Sequence, residues 1–236
     1  QKSPVSQYAI NHNLPHYQPT TKQELTNCIH TINPDVVIVI AYGMIIEKAL
    51  TDAYYCINIH SSILPKYRGA SPIHTAILNG DDITGITLIK MNQKMDEGDI
   101  ICTKECRIEP NDNLGTLSLK LANLSGPTLI SLLEQYSTLS AIPLQPQPHI
   151  NATYTKKIKT QNCCILPTDS PELMLQKIRA FGPKPGAYII RNQHRIKLLD
   201  ASLVDNQLTL RIVQPEGKPP MTYTDYCLGH KEGITL

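Results

Sequence analysis

Val36-Val37-Ile38-Val39-Ile40-Ala41 is an unbroken apolar run made almost entirely of β-branched residues. A strand with one wet face alternates apolar and polar side chains. A continuous run of this length is what a strand buried on both faces of a parallel sheet shows. Asn33-Pro34 just upstream marks a turn. Before it, 20–31 reads as a helix with Leu25, Cys28 and Ile29 on one face. Cys56-Ile57-Asn58-Ile59 reads as a second strand and 86–91 as a third, with a helix opening at Ser71-Pro72 and stopped by Gly80-Asp81-Asp82. Serine as N-cap followed by proline is a helix-start signature. Strands joined by helices in this order imply an α/β, Rossmann-like domain with a mainly parallel sheet.

Downstream, 115–136 has helical spacing, and Gly126-Pro127 is expected to divide it into two helices or kink one. Ile142-Pro143-Leu144-Gln145-Pro146-Gln147-Pro148 has no periodicity and reads as an extended linker. A helix from Ser170-Pro171 to Ala180 and strand-like pieces at 187–191, 195–201 and 207–213 then form a small, mostly β second domain. The expected organisation is a first domain over 1–141, a linker over 142–156 and a second domain over 157–236. No apolar run reaches the length of a membrane span. The net charge of +2 gives no global sign of nucleic-acid binding, so any basic surface must be local. Seven cysteines, with no C-x₂-C half-site for zinc, read as reduced thiols in a cytoplasmic protein and not as a metal site.

Asn58 and His60 close one strand, and Asp96 follows another within Met95-Asp96-Glu97-Gly98-Asp99, where Gly98 permits a tight loop. In a parallel α/β sheet ligands sit beyond the carboxyl ends of the strands, so the three can share one crevice. An amide and a protonated imidazole aimed at a developing oxyanion stabilise it, each donor by roughly 2.7–4 kcal/mol. A carboxylate beside them favours the imidazolium and can take a proton from an attacking amine, a contribution of about 10²–10⁴-fold. Taken singly, each residue is an ordinary turn or surface residue; only the combination points to acyl or formyl transfer. There is no G-x-S-x-G, G-x-G-x-x-G or Walker loop, which argues against hydrolase, dinucleotide and ATP chemistry.

The segment 58–69, NIHSSILPKYRG, together with Thr84-Gly85-Ile86-Thr87 and Met95 to Asp99, resembles the signature of folate-dependent formyltransferases. The resemblance implies that Asn58, His60 and Asp96 are the catalytic trio, with Asn58 and His60 on the formyl oxygen. Asp96 would keep His60 cationic and help remove the amine proton. It implies that Ser62, Ile63, Leu64 and Pro65, with the loop Tyr42, Gly43 and Met44, bind the co-substrate 10-formyltetrahydrofolate. Lys66 to Ile73, Ser3-Pro4-Val5, Asn151 to Tyr154, 178–187 and Gln214 to Lys218 resemble the branch of the family that formylates initiator methionyl-tRNA.

That likeness implies a monomer in the bacterial cytosol or an organelle matrix and a second domain that is a barrel of the oligonucleotide-binding (OB) type. Lys156, Lys157 and Lys159 form a basic cluster at the linker's end, and with Arg68 and Lys218 they are expected to contact the tRNA. Members of the branch begin with a further strand–helix–strand unit and a basic loop where this sequence has only Gln1-Lys2, and they have an extra strand pair before Gln214. The sequence is therefore expected to be incomplete. A sugar-nucleotide N-formyltransferase with the same trio is the nearest alternative, and a folate- or RNA-binding module without catalysis a more distant one.

Overall fold

The computed structural model describes residues 3–235; Gln1, Lys2 and Leu236, the ends of the expected spans, lie outside them. The chain opens with α1 (Pro4–Asn11), whose N-cap Ser3 accepts a hydrogen bond from the Ser6 amide, and α2 (Lys22–Ile32), capped by Thr21 through the Glu24 amide. The apolar run forms β1 (Val36–Ile40). After α3 (Lys48–Ala53) come β2 (Tyr55–His60), the short β3 (Arg68–Gly69), α4 (Pro72–Leu78), β4 (Ile83–Lys90), β5 (Ile100–Arg107) and α5 (Leu114–Gln135). The first sheet has the order β1-β2-β4-β5.

The chain is mixed α/β, but this sheet is not mainly parallel: β1 and β2 run parallel, while β2–β4 and β4–β5 are antiparallel. The reason lies in the connection between β2 and β4. Its helix α4 spans only about 10 Å, and the rest goes into a turn and β3, so the chain re-enters the sheet from the end it left. β1 is a second correction. It is half-buried instead of buried on both faces, with Ile40 55% exposed, because among the described residues it is the edge strand. α5 is one continuous helix with Pro127 inside it, so the expected division at Gly126-Pro127 does not occur.

The linker is not a free tether. Ile100 and Gln145 exchange both backbone hydrogen bonds, at 2.8 and 2.9 Å, and Ile142 and Gln147 are buried. Beyond it, β6 (Tyr154–Thr155) pairs in parallel with β3. A second sheet follows α6 (Pro171–Phe181) and contains β7 (Ala187–Arg191), β8 (His194–Val204), β9 (Gln207–Pro215) and β10 (Met221–Thr222), all antiparallel in the order β10-β9-β8-β7. α7 (Tyr223–Gly229) ends the regular structure. α6 packs on β8 and on α4, so the buried apolar residues of both sheets form one cluster, including Ile57, Ile77, Leu88, Phe181 and Leu198. Among the described residues no helix is long and apolar enough to cross a membrane.

Candidate active site

Alternation along β2 sets the first two functional side chains. Residues two apart on a strand share a face, so Asn58 and His60 project together. Their neighbours Ile57 and Ile59 fill the core on the other face, at 0% and 4% exposure. The third group arrives differently from the expectation. Asp96 does not lie beyond the carboxyl end of a parallel strand. It sits in the loop of the β4–β5 hairpin, anchored by Lys90 N to Asp99 O and Met91 N to Cys56 O, both 2.9 Å. This loop folds back to the face that Asn58 and His60 share. Gly98 makes the fold-back possible, since a Cβ there would stand 1.9 Å from the Lys90 carbonyl oxygen.

Asp96 takes a left-handed backbone conformation, φ +56°, which is uncommon without glycine although aspartate tolerates it better than most residues. One carboxylate oxygen, Oδ2, accepts from the Gly69 amide at 2.7 Å. The other, Oδ1, accepts from Asn58 Nδ2 at 3.2 Å and lies 3.6 Å from His60 Nδ1. His60 Nε2 donates to the Tyr67 carbonyl at 2.9 Å. A carbonyl oxygen only accepts, so Nε2 carries a proton and Nδ1 is the nitrogen that faces Asp96. Both His60 and Asp96 are largely shielded, their side chains 7% and 12% exposed.

Of the residues tied by resemblance to the folate, Ser62 and Leu64 are buried and Ile63 and Pro65 half-buried. Thr87, fully buried in β4, fixes this segment by donating to the Ser62 carbonyl at 2.7 Å and accepting from the Leu64 amide at 3.1 Å. Ser62 Oγ donates to the Lys66 carbonyl, closing the turn. Tyr42 and Gly43 are exposed and Met44 half-buried in the loop after β1. Because Ile40 is in register with Ile59, that loop leaves the sheet at the same end as His60 and Ser61.

The basic residues separate. Lys156, Lys157, Lys159 and Lys218 are exposed. Arg68 is not on the surface: it is 1% exposed, with hydrogen bonds to Gln147 Oε1, Tyr154 OH and His149 Nδ1 and an ion pair to Glu97 at 3.5 Å. This corrects the expectation of a phosphate contact, because its guanidinium donors are already engaged inside the protein. Cavities of about 570 and 270 Å³ lie beside the second sheet and are lined by none of these residues. Among the described residues no cluster of His, Cys, Asp or Glu is arranged to hold a metal ion, and the seven cysteines are free.

Residues 1–133 match the family model described as formyl transferase, and 157–209 match that of the formyl transferase C-terminal domain. The chain belongs to the formyl transferase family. A methionyl-tRNA formyltransferase of Ehrlichia ruminantium is 37% identical, with 97% of this chain and 82% of that protein covered. A methionyl-tRNA formyltransferase structure from Clostridium thermocellum superposes with a TM-score of 0.69 at 20% identity, covering 89% and 91% of the two chains. HypX from Aquifex aeolicus, solved in complex with tetrahydrofolic acid, gives a TM-score of 0.66 at 14% identity; 88% of this chain matches 41% of that one. These two structures share the fold. Family membership gives the Asn58–His60–Asp96 convergence a chemical context, that of formyl-transferring enzymes.

The sequence reading missed two groups at the site. One is the Gly69 amide that holds Asp96; Gly69, at φ +105°, could have signalled a close backbone approach, since its Cβ would meet the Thr155 carbonyl at 2.4 Å. The other is Gln147, which carries no local sequence signal.

Proposed function

We propose that this protein transfers the formyl group of 10-formyltetrahydrofolate to the free α-amine of initiator methionyl-tRNA. The observation that carries the reading is the single Asp96 oxygen shared by Asn58 Nδ2 and His60 Nδ1, in a chain whose curated relative is a methionyl-tRNA formyltransferase aligned along 97% of it. The folate lies against Ser62, Ile63, Leu64 and Pro65 and the loop Tyr42, Gly43 and Met44. The amine attacks the formyl carbon, and Asn58 Nδ2 with a protonated His60 Nδ1 stabilises the oxygen as it gains charge. The bond from the formyl carbon to folate N10 then breaks. The proton lost by the amine passes to Asp96, directly or through water, and an equivalent proton returns to N10, so the products are the formylated amine and tetrahydrofolate.

Residues 1–141 form the catalytic part and 157–236 an OB-type unit facing the tRNA, joined by 142–156. Exposed Lys156, Lys157 and Lys159 follow directly on β6, whose partner β3 ends at Gly69 beside Asp96. With Lys218 they line a phosphate track, and the enzyme acts as a monomer in the bacterial cytosol or an organelle matrix. The test is incubation of the protein with 10-formyltetrahydrofolate and either charged initiator tRNA or an amino-sugar nucleotide. Formyl-methionyl-tRNA is the expected product, with tRNA binding that weakens steeply as salt rises. Formylation of the sugar alone overturns the acceptor, and salt-insensitive tRNA binding overturns the lysine track.

A further inference from the structure

Gln147 lies in the proline-rich segment between the two sheets, where a polar side chain is ordinarily solvated, yet it is 3% exposed. Every hydrogen-bonding position of its amide is taken. Oε1 accepts from Arg68 Nε at 3.0 Å and Nη2 at 2.6 Å, while Nε2 donates to the Asp96 carbonyl at 2.8 Å and the Gly98 carbonyl at 2.7 Å. Two lone pairs and two hydrogens thus have four partners, the full capacity of a carboxamide. The two carbonyls flank Glu97 and bracket the turn that gives Asp96 its left-handed backbone.

That backbone persists only where surrounding contacts over-determine it. The Gly69 amide holds the Asp96 side chain and Gln147 holds its main chain. Arg68 in turn fixes which end of the Gln147 amide faces the loop: a guanidinium has only donors, so it takes Oε1 and leaves Nε2 for the carbonyls. The paired backbone bonds between Ile100 and Gln145 keep Gln147 in place along the segment.

We propose that Gln147 is a positioning residue for formyl transfer, setting the Asp96 loop through its amide N–H groups while Arg68 fixes the orientation of the amide. The inference rests on the formyl-transfer reading above. It makes the connection between the two units part of the machinery that places the carboxylate, and it gives the burial of Arg68 a role.

The deciding variant is Gln147→Glu. A carboxylate still accepts from Arg68 but offers no N–H to Asp96 and Gly98, and it sets negative charge against their carbonyl oxygens. Misplacing a reacting group by about an ångström can cost on the order of 10²-fold. In steady-state formylation of methionyl-tRNA, kcat should fall by about 10- to 100-fold, with KM for both substrates within a few-fold of wild type. The same substitution in an Asp96→Asn background should lower kcat less than about two-fold, since residues that act as a unit are not additive. Gln147→Asn, with the same amide on a shorter stem, is the second variant and should show a smaller loss with the same dependence on Asp96. An unchanged kcat in Gln147→Glu, or equal losses in both backgrounds, overturns the positioning role. A wild-type protein that forms no formyl-methionyl-tRNA overturns the functional reading and this inference together, whereas an active wild type with unaffected variants overturns the inference alone.

Discussion

Asp96 divides its two oxygens between different tasks: Oδ2 is tied to the Gly69 amide, and Oδ1 faces Asn58 and His60. Replacement by asparagine changes charge more than shape, because an amide oxygen can still accept from Gly69. What disappears is the negative charge beside Nδ1 and, in the proposed mechanism, the acceptor for the amine proton. For Asp96→Asn the turnover number should drop by about 10²–10⁴-fold, the usual contribution of a general base. Tetrahydrofolate affinity, measured by ligand fluorescence or equilibrium dialysis, should stay within a few-fold. Turnover near wild type would remove Asp96 from the proton path. Asn58 and His60 could be read from the sequence because strand alternation alone places them on one face. Arg68 could not: an arginine in a loop reads as a surface cation. Its burial comes from Glu97, Gln147, His149 and Tyr154, which local patterning does not connect to it.

At the scale of elements, legibility followed how far local pattern agreed with burial. The strands β2 and β7 were visible because apolar residues dominate them, β9 because Leu208, Leu210 and Ile212 alternate with polar residues, and α6 because Ser170-Pro171 announces its start. β5 was not visible. It is an edge strand carrying Lys104 and Glu105, and edge strands are commonly charged, which discourages pairing with other chains. The direction of β4 was also hidden, because the sequence showed the helix α4 but not β3, which takes up the rest of the connection. In α5 the Gly126-Pro127 pair suggested a division or a kink; there is no division, and one helix continues through it, with Ser125 Oγ donating to the Leu121 carbonyl and Thr128 Oγ1 to that of Leu124. Beyond its own helix backbone and chain neighbours, nothing lies within 4 Å of where a Cβ on Gly126 would stand, but one of those neighbours is Pro127, whose Cδ crowds the Cβ of a helical residue before it. Gly126→Ala should therefore not deliver the gain of about 0.5–1 kcal/mol usual for replacing glycine inside a helix, because the new Cβ meets the Pro127 ring. Urea unfolding should show a midpoint at or below that of wild type with an unchanged slope; a midpoint raised by the full glycine-to-alanine gain would mean that the turn before Pro127 has room for a Cβ.

For the molecule as a whole, the packing of α4 on α6 joins the two sheets, and His74 lies in that joint. Its ring is 6.3 Å from the ring of Phe181, which is 1% exposed. Burial lowers the His74 pKa from its ordinary value by disfavouring the charged ring. In the unfolded chain a histidine titrates near about 6.5, so at pH values between the folded and unfolded pKa the unfolded state binds more protons. Stability consequently rises with pH across that window. The contribution is fully present above about pH 6.5, is lost as pH falls toward the lower folded value and stays lost below it. His74→Gln removes this titration and leaves the other histidines in place, so their effects cancel in a comparison with wild type. The wild-type melting temperature should fall more steeply than that of His74→Gln between about pH 7.5 and pH 5, with the two curves diverging below about pH 6.5. Parallel curves would mean that His74 can protonate without disturbing the joint between α4 and α6.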